Sequence, residues 1–318
     1  MSTSERWCGI HLGVGHDAVI DQLIAELPTL VDMGLNVLVT EVNYQYAFES
    51  HPELRGENPI TRAGAQRLAE ACRDRGVRLI PQFQCLGHQS WAERTFPLLL
   101  QYPEFDETPG QYPNNDGIYC RSWCPRHPDV NAIIFDLFDE LLEAFGADAL
   151  HVGMDEVFLI GSEHCPRCAG ADPAEIFADA VNDYYGYLAE RHVQMLMWGD
   201  RFLDGKATGY GLWEASENGT HPAIDRVPTD IVICDWHYEL MESYPSIAIF
   251  LEKGFPTWPG GWRNVEATEA LLKATLAYAD HPGLLGYLCT TWGAVKPGKL
   301  ATWPPIELAM QTLRAGLA

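Results

Sequence analysis

No stretch of this sequence approaches the roughly 20 consecutive apolar residues of a membrane span, and the opening MSTSERWCGIHLGVG has no charged leader followed by a long apolar core. Both absences lead to the expectation of a soluble, cytoplasmic protein with no membrane partner. Basic residues are scarce: 21 Lys and Arg stand against 44 Asp and Glu, a net charge of -23. No local basic patch offsets that field, so phosphate-rich partners are repelled and nucleic acid is excluded. The Gly-rich turn of a dinucleotide-binding sheet is incomplete, because HLGVGHD offers two glycines without the third or a later ribose-binding acid. A disulfide framework is equally unsupported. The cysteines number nine, and Cys8, Cys85, Cys234 and Cys289 sit inside apolar strand-like runs, as reduced buried thiols do.

What the chain does have is alternation. Short apolar runs alternate with longer amphipathic ones, the pattern of repeated βα units around a parallel sheet. Eight strand candidates stand out: CGIHLG from Cys8, NVLVTEV from Asn36, VRLIPQFQ from Val77, ALHVGM from Ala149, QMLMWG from Gln194, DIVICDW from Asp230, FPTW from Phe255 and LLGYLCTTW from Leu284. Helical stretches such as AVIDQLIAELPTLVDMG and NAIIFDLFDELLEAFG lie between them, closed by glycine as helix ends prefer. The 318 residues therefore read as one domain, a single (β/α)8 TIM barrel of the α/β class, with an open doubly wound sheet as the alternative. A long polar insertion over 101–129 interrupts the alternation. In a barrel, loops of that length cover the active site.

Reacting groups of such barrels sit at the C-terminal ends of the strands. Those ends carry His88, Asp155 and Glu156, Trp198 and Asp200, Asp235, Trp236 and Tyr238, Trp258 and Trp262, and Trp292. Flat ring faces beside carboxylates suit a sugar, which offers apolar C–H faces and hydroxyl edges. Two adjacent carboxylates on a strand end point to different sides of the chain and can divide the labour. Ordinary glycosidases set two carboxyls about 5 to 10 Å apart across the scissile bond, whereas substrate-assisted enzymes use a group of the sugar as nucleophile. The adjacent pair fits the second scheme, with Glu156 as general acid and Asp155 polarising an acetamido group.

These motifs resemble glycoside hydrolase family 20, the β-N-acetylhexosaminidases, and within it the hexosaminidase D-like branch. HVGMDEV matches the family's His-x-Gly-x-Asp-Glu signature, and IPQFQCLGHQSW resembles its third-strand segment ending in Gly-His. The resemblance implies a retaining, exo-acting hydrolase of amino-sugar glycosides, with no cofactor and no metal. It places Asp155 and Glu156 in catalysis, and His88, Trp198, Trp236 and Trp292 around the sugar. Asp200 is read as a further substrate-binding residue.

The chain departs from the family at three points. The first-strand Arg that grips sugar hydroxyls is absent from WCGIHLGVG, the second strand reads NVLVTEVNYQYAF where many members show His and Asp, and TWGAV replaces a terminal Trp-x-Glu. Glu214 in GLWEAS is the substitute for the missing acid. Tyr238 is the choice for the tyrosine that donates to the acetamido oxygen, with Trp262 as the other occupant of that position. A hydrolase of another amino sugar or of a non-acetylated glycoside stays open, as does a catalytically silent carbohydrate-binding barrel. The segment HCPRC sets Cys165 and Cys168 at knuckle spacing, with Cys120 and Cys124 on the insertion. Four such thiolates suit a structural zinc, although one CxxC is equally a redox pair or two free thiols.

Overall fold

The computed structural model describes residues 6–316. Eight parallel strands close a barrel: β1 (Trp7–Gly13), β2 (Val37–Glu41), β3 (Arg78–Cys85), β4 (Ala149–Gly153), β5 (Gln194–Trp198), β6 (Val232–Trp236), β7 (Thr257–Gly261) and β8 (Gly286–Thr290). Each strand pairs with its sequence neighbours, and β1 closes the ring against β8 through pairs such as Ile10 with Cys289. The (β/α)8 expectation holds, with strand boundaries shifted by a few residues. The largest shift is β7, which runs on through Gly260 and Gly261. A Cβ at Gly261 would lie 2.2 Å from the Tyr287 hydroxyl, so a pair that reads as a turn is instead a strand end with no room for side chains.

Helices α1 (Asp17–Met33), α2 (Arg62–Arg73), α3 (Val130–Phe145) and α4 (Pro173–Ala189) follow the first four strands. Their ends follow capping chemistry: Thr61 accepts from Gly64 N–H, Asp172 from Ala174 N–H, and Gly34 and Gly146 end α1 and α3 in the left-handed region. After β5 the expected helix is replaced by short turns between Asp200 and Asp225. The ring is completed by α5 (Ser246–Glu252), α6 (Val265–Leu276) and α7 (Pro304–Gly316).

Strand side chains alternate between two cores, as a period of two requires. On β4, Leu150 and Val152 face the helix layer while Ala149 faces the barrel interior with Val37, Val39, Ile80, Leu196 and Trp258. Trp258 plugs the barrel through the space left by Gly9, where a Cβ would meet its ring at 2.1 Å. Above that apolar plug the interior turns polar: His11, Gln82 and His151 are fully buried, and His11 Nε2 lies 3.0 Å from Gln82 Oε1. The apolar floor positions a polar layer directly beneath the strand ends.

Candidate active site

The signature segment turns sharply after β4. Gly153 has φ +68, and a Cβ there would meet Gln84 Oε1 at 2.1 Å, so the position accepts only glycine. His151 Nδ1 accepts the Gly153 N–H at 3.0 Å and fixes the start of the turn. Met154 and Glu156 then take positive φ (70 and 49), as do Leu86 and His88 after β3 (66 and 53) and Trp292 after β8 (41). Non-glycine residues in that region cost of order 1–3 kcal/mol each and gather at functional sites. Here they gather at the C-terminal mouth of the barrel.

This backbone changes the expected geometry of the acid pair. The two carboxylates do not diverge: His88 Nε2 lies 3.4 Å from Asp155 Oδ2 and 3.1 Å from Glu156 Oε2, although it donates an aligned hydrogen bond to neither. Burial opposes a charge on His88, but the Asp155 charge and contacts with both carboxylates outweigh it and raise the imidazole well above its usual value. Burial likewise pushes Asp155 up, and the facing His88 charge more than reverses this, holding its carboxyl below the ordinary 3.8. By contrast, burial lowers His11 to about 4 and keeps His151 neutral as well. The mouth thus holds one part-buried imidazolium between two carboxylates, with the three ligand atoms within 4.8 Å of one another. Asp155 Oδ1 is buried and has no partner.

Around the pair the residues expected at a sugar site divide into two groups. Trp292 Nε1 donates to Tyr238 Oη at 2.6 Å, Trp236 packs on Tyr238 at 4.7 Å, and the Trp262 ring lies 5.4 Å from Tyr238. These four aromatics form one wall of the mouth. Asp200, Trp198 and Glu214 serve from behind. Asp200 is buried and accepts from Glu156 N–H, Arg201 Nε and Trp236 Nε1, so it positions the acid pair and the wall. Trp198 is fully buried in the polar layer, against His151 at 4.5 Å and Trp292 at 5.6 Å, because its place on β5 points it into the barrel instead of along the rim. Glu214 has both oxygens engaged, by His237 Nδ1 at 2.7 Å and by Tyr238 N–H at 2.9 Å. Through these contacts it seats Tyr238, and each oxygen keeps a further lone pair.

Three residues at the site escaped the sequence reading. Arg201 follows Asp200 and is fully buried, donating to the carbonyls of Leu212, Trp213 and Ala215. Glu41 ends β2, where burial and then the neighbouring Asp155 charge raise its carboxyl against a hydrogen bond from Asn43. It lines a cavity of about 370 Å³ between the ends of β1 and β2, with Gly13, Asn43 and Arg94. Its position at a strand end was the signal that could have found it. Tyr119 had no such signal. The insertion carries it to the Glu156 carboxylate, where burial and that charge push its ionisation up, and it packs on His88 at 5.8 Å and Trp213 at 5.0 Å. The half-exposed rings of Trp91 and Trp213 flank it on the rim.

A closed (β/α)8 barrel with strained strand ends presenting one buried and one part-buried carboxylate beside an aromatic wall is an architecture that suits a glycoside hydrolase. Residues 10–244 match the family described as glycosyl hydrolase family 20, catalytic domain. The chain belongs to that family. It is 25% identical over 134 residues to a beta-hexosaminidase of Akkermansia muciniphila, covering 42% of this chain and 27% of the relative. It is 22% identical over 214 residues to a lacto-N-biosidase of Bifidobacterium bifidum, covering 63% of this chain and 18% of the relative. The structure of Flavobacterium johnsoniae chitobiase superimposes with a TM-score of 0.69 at 17% identity, covering 96% of this chain and 48% of that one. At that identity the superposition speaks for the fold alone. The chain spans under a third of the two curated relatives and about half of the solved structure.

Proposed function

We propose that the chain is an exo-acting, retaining β-N-acetylhexosaminidase working by substrate-assisted catalysis. In this reading Asp155 accepts a hydrogen bond from the acetamido N–H, which stays on nitrogen, and the acetamido oxygen attacks the anomeric carbon, while Glu156 gives its proton to the departing oxygen. Glu156 then takes a proton from the water that opens the oxazoline, restoring both groups and retaining the configuration. The carrying observation is Asp155 itself: a buried carboxylate, kept ionised by His88, with Oδ1 unpartnered at the barrel mouth. An acceptor left unpaired in a dry site is costly until a donor arrives, and an amide N–H is such a donor. Tyr238 supports the reading from the other side, since a hydroxyl held through its oxygen by Trp292 has its proton to give.

A second reading, a hydrolase of another amino sugar or of a non-acetylated glycoside, is favoured by Glu41 at the β2 end and by the engagement of Glu214. The two separate in one assay. Chromogenic N-acetylglucosaminide and N-acetylgalactosaminide are compared with the non-acetylated glycoside, each with and without a thiazoline that mimics the oxazoline. Turnover confined to acetylated substrates and blocked by thiazoline supports the first reading; equal turnover of the non-acetylated glycoside supports the second. Sugar binding with no turnover of any of them would leave a silent binding barrel. In either enzymatic reading the partner is a glycoside, and the nine free, buried cysteines support a reducing, cytoplasmic setting.

A further inference from the structure

We propose that Glu107, Cys124, Cys165 and Cys168 form a closed structural zinc site that ties the 101–129 insertion to the segment following β4. The four come from three stretches, around 107, 124 and 165–168, and are fully buried, and one ligand atom of each lies within 4.8 Å of the others. Cys124 Sγ is 3.5 Å from Cys168 Sγ and 3.4 Å from Cys165 Sγ. Tetrahedral zinc with Zn–S bonds of about 2.3 Å sets its sulfurs about 3.8 Å apart, so an ion fits with an outward shift of a few tenths of an ångström.

Glu107 gives the independent sign of a ligand. Its Oε1 accepts the Ser162 N–H at 2.9 Å, whereas its Oε2, equally buried, has no partner. A carboxylate oxygen orphaned beside three thiols is a costly arrangement for the protein alone, and a divalent cation removes the cost. A disulfide would not, because joining two of three sulfurs leaves the third and the carboxylate as they were.

The local chain is built for the purpose. Cys124 and Cys165 each open a Cys-Pro-Arg turn, over 124–126 and 165–167. In each, the backbone N–H of the arginine faces the sulfur two residues before it. Three soft donors and one carboxylate in a four-coordinate cage select zinc over harder cations, and four protein ligands leave no open position for chemistry. Cys120, expected as the fourth thiolate, lies elsewhere, with its Sγ 3.7 Å from the Glu156 carbonyl oxygen. Glu107 takes that fourth place. The site therefore clamps together the insertion that carries Tyr119 and the loop that follows Glu156, the two segments flanking the proposed acid.

The test is metal content of the full chain, purified under reduction without chelator. Wild type and Cys120→Ser should each hold about one zinc per chain, while Glu107→Ala and Cys165→Ser should hold only traces. Should those variants fail to fold, wild-type protein loaded with cobalt decides, since thiolate-to-cobalt charge-transfer absorption appears only with sulfur ligands. Stripping the metal should also lower Tm and expose three thiols to titration per metal released. Wild-type protein that stays metal-free after incubation with zinc and shows no cobalt–thiolate absorption would overturn the proposal, as would full zinc content in Cys165→Ser.

Discussion

The backbone N–H of Glu156 donates to Asp200 Oδ2 at 2.9 Å, so the proposed acid is held at its main chain by a carboxylate from the end of the next strand. The same oxygen accepts Arg201 Nε at 2.6 Å. Burial raises the Asp200 carboxyl to about 6, with the Arg201 charge opposing and the Asp155 charge adding. Above that pH Asp200 is ionised and grips both donors; below it the grip weakens. Activity should therefore fall as pH drops through about 6. Asp200→Asn, which keeps the shape without the charge, should lower kcat about 10- to 100-fold with little change in KM and flatten that acid limb. Profiles of kcat against pH for the two proteins check this, and an unchanged limb in the variant would assign it to another group.

The two carboxylates predict opposite leaving-group behaviour. Glu156→Gln should cost about 10²- to 10⁴-fold on substrates whose leaving group needs a proton, and far less on activated aryl glycosides. Asp155→Asn should slow both, because the acetamido attack it assists is needed whatever the leaving group. A plot of rate against leaving-group pKa, steep for Glu156→Gln and shallow for wild type, is the expected signature. Equal losses on both substrate classes for Glu156→Gln would contradict its role as acid.

The imidazolium between the carboxylates predicts a window of stability. The folded His88 value lies above 6.5, so its contribution is complete below that pH and is lost as pH rises through the folded value. The folded Asp155 value lies below 3.8, so its contribution is complete above that pH and is lost as pH falls through it. The pair therefore stabilises most between 3.8 and 6.5. His88→Gln leaves the buried Asp155 and the part-buried Glu156 without their cation and should cost about 3 kcal/mol there, with the deficit shrinking at alkaline pH. Denaturant unfolding of both proteins across that range measures it, and a pH-independent deficit would mean that packing, not charge, is lost.

The barrel was legible because its signal is periodic: eight apolar runs and the helices between them each repeat a pattern that burial enforces. Asp155, Glu156 and His88 were legible because glycine-containing turns mark where the backbone leaves each strand. Roles that depend on which way a side chain points were not. Trp198 and Trp236 look alike as strand ends, yet Trp198 is fully buried in the polar layer beneath the mouth, while Trp236 packs on Tyr238 in its wall. Glu214 looked free because it lies in the turns after β5 and its partner His237 follows the end of β6, a long-range contact that no local pattern encodes. Glu107 meets Cys124, and Tyr119 reaches Glu156, through an insertion with no period at all.

Trp292 and Tyr238 allow a test of how the wall acts, because their contact fixes what the tyrosine proton can do. Trp292 Nε1 donates to Tyr238 Oη at 2.6 Å and Thr290 Oγ1 donates to the same oxygen at 3.3 Å, which leaves the tyrosine proton for a bound acetamido oxygen. If it donates to the substrate, it opposes charge that changes as the oxygen attacks, and Tyr238→Phe should lose about 10²-fold or more in kcat. Trp292→Phe keeps an aromatic face but frees the hydroxyl to rotate, so it should lose less. In the double variant the two losses should not add, since the tryptophan matters only through the tyrosine it aims. Additive losses would mean that Trp292 touches the sugar on its own account. A loss under about threefold for Tyr238→Phe would move the donor's role to another residue of the wall.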